Sequence, residues 1–218
     1  MKIILDAASS GRTAPTRLVM LPAAFTAPQD FVGAGFGAAA RERGLDVDVV
    51  FVGCDLLHVT DRSILELLYR ELVQPARAQG CAVWLGGISL GGYLALSFAA
   101  RHGAALAGLC LLAPYLGSHI ITDEVARDGL EHWTPGELAA DDEERRVWRF
   151  IKTLRAGELR VYLGLGRDDR FVARHRLLAA ALAAPSVHTV AGGHDWPTWR
   201  TLWDNFLDAQ FAAAAPAP

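Results

Sequence analysis

The chain has 218 residues, of which 52% are hydrophobic, and a formal net charge of −3 at pH 7. This length suits one domain with a large core, and the weakly negative charge gives no reason to expect a nucleic-acid or anionic-membrane partner. The three cysteines, Cys54, Cys81 and Cys110, are widely spaced, which argues against a disulfide framework and a zinc site. No apolar run has the length of a signal peptide or a transmembrane span. We therefore expect a cytoplasmic protein that does not enter a membrane.

Apolar segments alternate with segments of helical periodicity along the chain. In chain order, strands are predicted at Lys2–Leu5 (an edge strand), Arg17–Leu21, Leu45–Val52, Ala82–Leu85, Leu106–Ala113, Leu159–Leu165 and Val187–Val190. Helices are predicted at Phe31–Arg43, from the N-cap residue Asp61 until Pro75 bends or ends the helix, and at Tyr93–His102, Val172–Ala183 and Thr198–Phe211. This alternation predicts one α/β domain with a mostly parallel, doubly wound sheet that helices cover on both faces.

The alternation is interrupted between Pro114 and Leu159. Residues 115–152 include aromatic side chains and a charged run, and we interpret them as a small helical cap inserted into the domain. The charged run is typical of a solvated helix face. Residues 212–218 are a low-complexity end, for which we expect a flexible tail.

A G-x-S-x-G pattern stands where a predicted strand meets a predicted helix, at Gly87–Gly91. This pattern is typical of a nucleophile elbow, in which a strained turn exposes a serine hydroxyl above the sheet. The glycines two residues before and after Ser89 would allow close approach of neighbouring backbone. The helix that follows would direct free N–H groups at the reacting centre. We therefore predict that Ser89 is a nucleophile rather than an incidental serine in a glycine-rich turn.

A nucleophilic serine needs a base, and the base needs an acid that fixes its tautomer. His194 follows two glycines directly after the last predicted strand, a position that suits a base better than that of the other histidines. Asp168 and Asp169 follow the strand before it. We prefer Asp169, three residues after the turn glycine Gly166, with Asp168 as the alternative. The order serine, aspartate, histidine is the order found in α/β-hydrolases.

These three stretches resemble those of α/β-hydrolase-fold serine esterases. The sequence His-Asp-Trp-Pro-Thr-Trp, His194–Trp199, is similar to the histidine region of bacterial carboxylesterases of the esterase D and mycolyltransferase groups. The resemblance implies an α/β-hydrolase fold and an oxyanion hole made of two backbone N–H groups. It implies that one comes from Leu90 and the other from the loop after an early strand, where we choose Ala24, with Phe25 as the alternative.

We predict that the acyl pocket is weakly charged and aromatic, with Phe25, Tyr115 and Trp196 as substrate-binding residues. Trp199, Trp133 and Trp148 are further candidates for the pocket wall, although we prefer core packing as the explanation of most of these aromatic residues.

The sequence thus predicts a serine hydrolase that cleaves a small-molecule carboxylic ester through an acyl-enzyme intermediate, without metal or cofactor. Two alternatives remain open. A thioesterase or acyltransferase would use the same triad with a different leaving group or acceptor, and a binding protein could retain the fold without catalysis.

Overall fold

The computed structural model describes residues 1–54, 63–154 and 159–211. The predicted N-cap residue Asp61 and the predicted tail at 212–218 lie outside these residues. The described residues form seven strands in one sheet, with the spatial order β1-β3-β2-β4-β5-β6-β7. The strands are β1 (Lys2–Asp6), β2 (Thr16–Leu21), β3 (Val47–Gly53), β4 (Ala82–Ile88), β5 (Gly108–Leu112), β6 (Arg160–Gly166) and β7 (Val187–Val190).

The sheet is parallel except at one edge. Strand β1 pairs antiparallel with β3, whereas all the other neighbouring strands pair in parallel. The central strands are buried along nearly their whole length, as expected for parallel strands that have helices on both faces. The predicted edge strand and the mostly parallel, doubly wound sheet are therefore confirmed.

The helices are α1 (Pro28–Gly33), α2 (Phe36–Glu42), α3 (Ser63–Leu68), α4 (Gln74–Ala78), α5 (Leu90–His102), α6 (His119–Asp128), α7 (Glu143–Ile151), α8 (Val172–Ala180) and α9 (Trp196–Phe211). They divide the buried apolar residues into two clusters, one on each face of the sheet. Helices α1, α2 and α9 cover one face, and the remaining helices cover the other. The core therefore has two layers, which the sheet separates.

The single helix predicted at Phe31–Arg43 is wrong, because the chain forms two helices there. Ala34 ends α1, and Gly35 then adopts a left-handed conformation with φ 76°. Glycine tolerates this conformation at little cost, whereas a continuous helix would need φ near −63°. The break allows Phe31 and Phe36 to meet edge to face, with ring centroids 5.1 Å apart, on the same side of the sheet.

Pro75 does not end its helix, contrary to one of the two predicted outcomes. Between α3 and α4, residues Tyr69–Val73 form a π-helical stretch, and the helical path then continues through Pro75 to Ala78. Proline lacks an N–H group, and its ring clashes with the carbonyl group four residues earlier in an α-helix. The wider π turn immediately before Pro75 relieves that clash.

The segment predicted as a cap contains α6 and α7. Its two tryptophans, Trp133 and Trp148, are 1% and 0% exposed and belong to the core cluster on the α5 face. The indole N–H of Trp148 donates to the carbonyl group of Leu116 at 2.9 Å. Glu143 on α7 pairs with Arg101 on α5 at 2.7 Å. The interpretation of both tryptophans as pocket wall is therefore wrong, since both are buried in the core.

The carboxyl ends of the parallel strands lie along one edge of the sheet, and α5 begins there against β2. A Cβ atom on Gly91 would overlap the carbonyl group of Leu21, and one on Gly87 would overlap the backbone of Gly91. The two glycines are therefore needed where β4 turns into α5. Among the described helices, none is long and apolar enough to cross a membrane.

Replacement of Gly91 by alanine is expected to lower the free energy of unfolding by about 2 kcal/mol or more, because rigid backbone must move to admit the methyl group. Chemical denaturation followed by circular dichroism measures this change. Gly33→Ala is the matched control, since a Cβ atom there meets nothing within 4 Å. The control should leave stability unchanged or slightly increased. Equal stability of the two variants would contradict the proposed close packing.

Candidate active site

A pocket of about 450 Å³ opens where the carboxyl ends of the strands meet. Its volume is within the range of small-molecule sites, roughly 300–1,000 Å³. It is lined by Ala23, Ala24, Phe25, Thr26, Ser89, Arg170, His194, Asp195, Trp196 and Trp199. The structure thus brings together the predicted serine and histidine, the predicted loop after an early strand, and Trp196.

Ser89 occupies the single residue between β4 and α5. Its backbone has φ 50° and ψ −112°, a strained conformation for a residue with a side chain. Three hydrogen bonds hold it: its N–H donates to Leu112 at 3.0 Å, and its carbonyl oxygen accepts from Tyr93 at 3.2 Å and from Tyr115 at 2.8 Å. Neighbouring backbone on β5 and the loop after it therefore stabilises the turn.

His194 lies in the loop between β7 and α9, with 10% of its side chain exposed. Its Nδ1 atom is 2.7 Å from Oδ2 of Asp169, on the turn after β6. The rings of Phe171 and Trp199 flank the imidazole ring, each at a centroid distance of 5.1 Å and nearly perpendicular to it. With Nδ1 protonated and donating to the carboxylate, Nε2 carries the lone pair.

The two adjacent aspartates make different contacts. Asp169 is 2% exposed, and its Oδ1 atom accepts a hydrogen bond from the backbone N–H of Phe171 at 2.8 Å. Asp168 is exposed, and its Oδ2 atom accepts from the backbone N–H of Gly192 at 3.2 Å. Asp169 therefore contacts the imidazole of His194, whereas Asp168 holds the loop that carries it.

Two opposing effects act on the carboxyl group of Asp169. Burial raises its pKa, but the hydrogen bonds from His194 and Phe171, together with electrostatic interaction with the His175 and His194 imidazoles, outweigh burial and lower the pKa overall. The group is thus a carboxylate at neutral pH. A buried anion beside Nδ1 favours the tautomer in which Nδ1 carries the proton and stabilises the imidazolium cation.

The loop after β2 forms a tight turn at the pocket. The N–H and the hydroxyl group of Thr26 both donate to the carbonyl oxygen of Ala23, at 3.3 and 2.9 Å. Phe25 has φ 61°, a left-handed conformation that such a turn normally reserves for glycine, and its side chain is fully exposed at the rim. Ala24 lines the pocket in the same turn. Leu90 is the first residue of α5, where N–H groups lack partners within the helix.

The predicted substrate-binding aromatic residues are placed differently from one another. Phe25 and Trp196 line the pocket, and Trp196 also packs edge to face on Phe31 at 5.6 Å. Tyr115 does not line the described pocket. Its ring packs against Tyr93 at 5.5 Å, and its contribution to the turn at Ser89 is the backbone hydrogen bond.

His175 on α8 is a buried residue near the site that the sequence analysis did not single out. It is 0% exposed, and its Nε2 atom lies 3.1 Å from the carbonyl oxygen of Pro114. Its Nδ1 atom has no hydrogen-bond partner among the described residues. Burial lowers the pKa of His175 to about 4, so the ring is neutral at pH 7 and Nε2 donates to Pro114. No sequence signal marks this histidine, because its role depends on how α8 packs.

Arg170 is a pocket residue that the sequence pattern did not reveal. It directly follows Asp169 in the chain and lines the pocket. Its place on the same turn as the candidate acid was the available sequence signal. Within the described ranges, no group of three or more histidine, cysteine, aspartate or glutamate side chains is arranged to hold a metal ion.

No protein-family model matches the sequence, and a comparison with curated proteins finds no match either. Many solved structures are similar to this chain in fold. The mouse alpha/beta hydrolase domain-containing protein 10 has a TM-score of 0.60 at 15% identity, covering 95% of this chain and 91% of that one. The chain has the α/β-hydrolase fold.

Two other structures with this fold are similar over most of the chain. The fluorophosphonate-binding serine hydrolase F of Staphylococcus aureus has a TM-score of 0.62 at 15% identity, covering 91% of this chain and 85% of that one. The monoacylglycerol lipase of Paleococcus ferrophilus has a TM-score of 0.59 at 13% identity, covering 96% and 100%. At such identities the comparisons establish the α/β-hydrolase fold alone.

The burial of His175 predicts a pH-dependent stability. The unfolded chain binds a proton at this residue near pH 6.5, whereas the folded chain does so only near pH 4. The contribution of His175 to stability is therefore complete above pH 6.5 and is lost as the pH falls toward 4. Between about pH 7.5 and about pH 5, the wild type should lose about 2 kcal/mol more unfolding free energy than His175→Gln.

Denaturation curves of both proteins at the two pH values measure this difference. A two-dimensional NMR titration of the imidazole resonances supplies a direct control, because it reports the His175 pKa in the folded protein. Parallel losses of stability in the wild type and the variant would contradict the lowered pKa.

Proposed function

We propose that this protein is a serine hydrolase that cleaves small-molecule carboxylic esters, with Ser89 as nucleophile, His194 as base and Asp169 as acid. The observation that carries the proposal is the 2.7 Å contact between His194 and a buried aspartate, in the pocket that also holds a serine on a strained strand-to-helix turn. We also propose that residues 1–218 form a single domain and that residues 115–152 are a helical insertion in it.

In the first half of the reaction, the hydroxyl oxygen of Ser89 attacks the ester carbonyl carbon while Nε2 of His194 accepts the hydroxyl proton. Asp169 stabilises the imidazolium that forms. Negative charge develops on the former carbonyl oxygen, and the backbone N–H groups of Leu90 and Ala24 are proposed to donate to it. The intermediate collapses when His194 gives its proton to the leaving alcohol, which breaks the ester bond and leaves Ser89 acylated.

In the second half, His194 takes a proton from a water molecule that attacks the acyl-enzyme carbonyl carbon. The same two N–H groups bind the second oxyanion. Collapse returns the proton to Ser89 and releases the carboxylic acid. The base alternates between proton acceptor and donor, and this requires the neutral Nδ1–H tautomer that a carboxylate at Asp169 favours.

The strain at Ser89 supports this reaction more directly than the fold does. A non-glycine residue with positive φ costs of order 1–3 kcal/mol and persists where its surroundings enforce it, often at functional sites. The fold likeness to a monoacylglycerol lipase and a serine hydrolase is consistent with ester chemistry, but one fold supports many functions. The residues of the pocket, rather than the fold, therefore carry the case for ester hydrolysis.

Treatment with a fluorophosphonate followed by intact-mass spectrometry and peptide mapping tests the nucleophile. We expect one adduct, on Ser89, because an activated serine reacts with this electrophile and an ordinary serine does not. Ser89→Ala should abolish both the adduct and the hydrolysis of a short p-nitrophenyl ester. Ser9→Ala, at an exposed serine outside the pocket, should change neither. A folded wild type that acquires no adduct would refute the proposal.

The two aspartates give a matched pair for the acid. Asp169→Asn should lower kcat on the order of 10³-fold or more, because an amide favours the wrong histidine tautomer and no longer stabilises the imidazolium. Asp168→Asn retains an oxygen that accepts from Gly192 and should lower kcat less than about tenfold. Steady-state kinetics on the same ester measures both variants. Similar losses in the two would contradict the assignment of Asp169.

A further inference from the structure

The pocket contains one cationic side chain that no described carboxylate neutralises. Arg170 lines the pocket together with Ser89 and His194. Across the described ranges, Arg170 forms no ion pair and no side-chain hydrogen bond, in contrast to the paired arginines elsewhere in the described structure, such as Arg43 and Arg101. An arginine at a site of this kind presents up to five N–H donors to whatever enters the pocket.

The other charges of the pocket have partners within the protein. Oδ1 of Asp195 accepts hydrogen bonds from the N–H and the hydroxyl group of Thr198, at 3.0 and 2.7 Å, at the start of α9. These hydrogen bonds lower the pKa of Asp195 and keep its charge at the helix N-terminus, where an anion is favourable. His194 is paired with Asp169. In the described lining, Arg170 is thus the charged side chain without a partner in the protein, and a ligand could neutralise it.

The guanidinium group of Arg170 stacks on the aromatic ring that flanks the candidate base. Its Cζ atom lies 4.8 Å from the centroid of the Phe171 ring, and the Phe171 ring in turn packs against His194 at 5.1 Å. Stacking on an aromatic face restricts the long side chain, which reduces the entropy lost when the guanidinium binds a ligand. Arg174, one helical turn later, lies 5.9 Å from the same ring and adds positive charge on that side.

We propose that Arg170 binds a carboxylate of the substrate, so that the favoured substrates are esters that carry a second, acidic group. This inference rests on the proposed ester hydrolysis at Ser89. A guanidinium group pairs with a carboxylate through two parallel N–H···O hydrogen bonds. Asp195 in the same lining is itself an anion, so the pocket suits a monoanion better than a phosphate dianion, which would add a second negative charge there. Ala23, Ala24 and Trp196 offer apolar contacts to the rest of the substrate.

Two pairs of esters test the preference and the position of the acidic group. Monomethyl and dimethyl glutarate differ by a carboxylate on the acyl side, and 3-acetoxypropionate and its methyl ester differ by one on the alcohol side. For at least one pair, kcat/KM for the acidic ester divided by kcat/KM for the neutral ester should be about tenfold lower in Arg170→Gln than in the wild type. This change corresponds to about 1.4 kcal/mol of transition-state binding. Arg167→Gln, at an exposed arginine outside the pocket lining, should leave the ratio unchanged.

The ratio separates recognition from general damage, because a variant that is merely less stable or less active loses both esters in proportion. Arg170→Lys should retain part of the preference, and added salt should reduce the preference in the wild type. If the wild type hydrolyses the neutral esters and the ratio of acidic to neutral kcat/KM is the same in Arg170→Gln for both pairs, the inference is overturned and the proposed function is left intact.

Binding without turnover separates this inference from the proposed function. In the Ser89→Ala background, NMR titration with the acidic esters should give a dissociation constant that rises about tenfold when Arg170→Gln is added. This comparison holds even if the wild type hydrolyses no ester. Equal dissociation constants with and without Arg170 would overturn the inference, whatever the fluorophosphonate experiment shows for Ser89.

Discussion

The turn at Ser89 is the constraint on which the rest of the site depends. Strand β4 turns into helix α5 within one residue. This turn brings neighbouring backbone so close to Gly87 and Gly91 that a Cβ atom at either position would overlap it. The approach in turn fixes α5 against β2, the strand whose following loop forms the opposite wall of the pocket. The hydrogen bond that Ser89 donates to Leu112 and the one that it accepts from Tyr115 connect the turn to β5 and to the loop after it. Local strain at one residue is thus balanced by ordinary packing and hydrogen bonding over three strands.

A chain of buried polar contacts extends from this turn to the candidate base. The loop after β5 contacts Ser89 through Tyr115 and contacts α8 through the bond between Pro114 and His175. Helix α8 follows the turn that carries Asp169, whose carboxylate contacts His194. Keeping His175 neutral is important in this arrangement, because a second buried cation would compete with His194 for the carboxylate. Burial achieves this through the lowered pKa of His175.

The sequence predicted the mostly parallel sheet, its edge strand and the strand ends at which candidate residues lie, since alternation and turn glycines are local signals. The antiparallel pairing of that edge strand was not predicted. The sequence also did not predict the break at Gly35 or the π-helical stretch before Pro75, because each depends on how the helix fits the sheet. Which aspartate contacts His194 also depends on the three-dimensional turn, as the two residues are adjacent in the chain. No periodic pattern in the sequence indicates that Arg170 lines the pocket or that His175 is buried, because both depend on how the folded chain packs.

The sheet order has a consequence for how the chain tolerates changes in length. Strands β5 and β6 are hydrogen-bonded neighbours, with Leu112 opposite Gly164, although the segment that contains α6 and α7 separates them in sequence. The distance between the ends of β4 and β6 is therefore set by two interstrand spacings, about 10 Å in total, and not by the length of that segment. Shortening or extending the segment would change the apolar area buried on α5, and with it the stability, while the separation of Ser89 and Asp169 stayed the same.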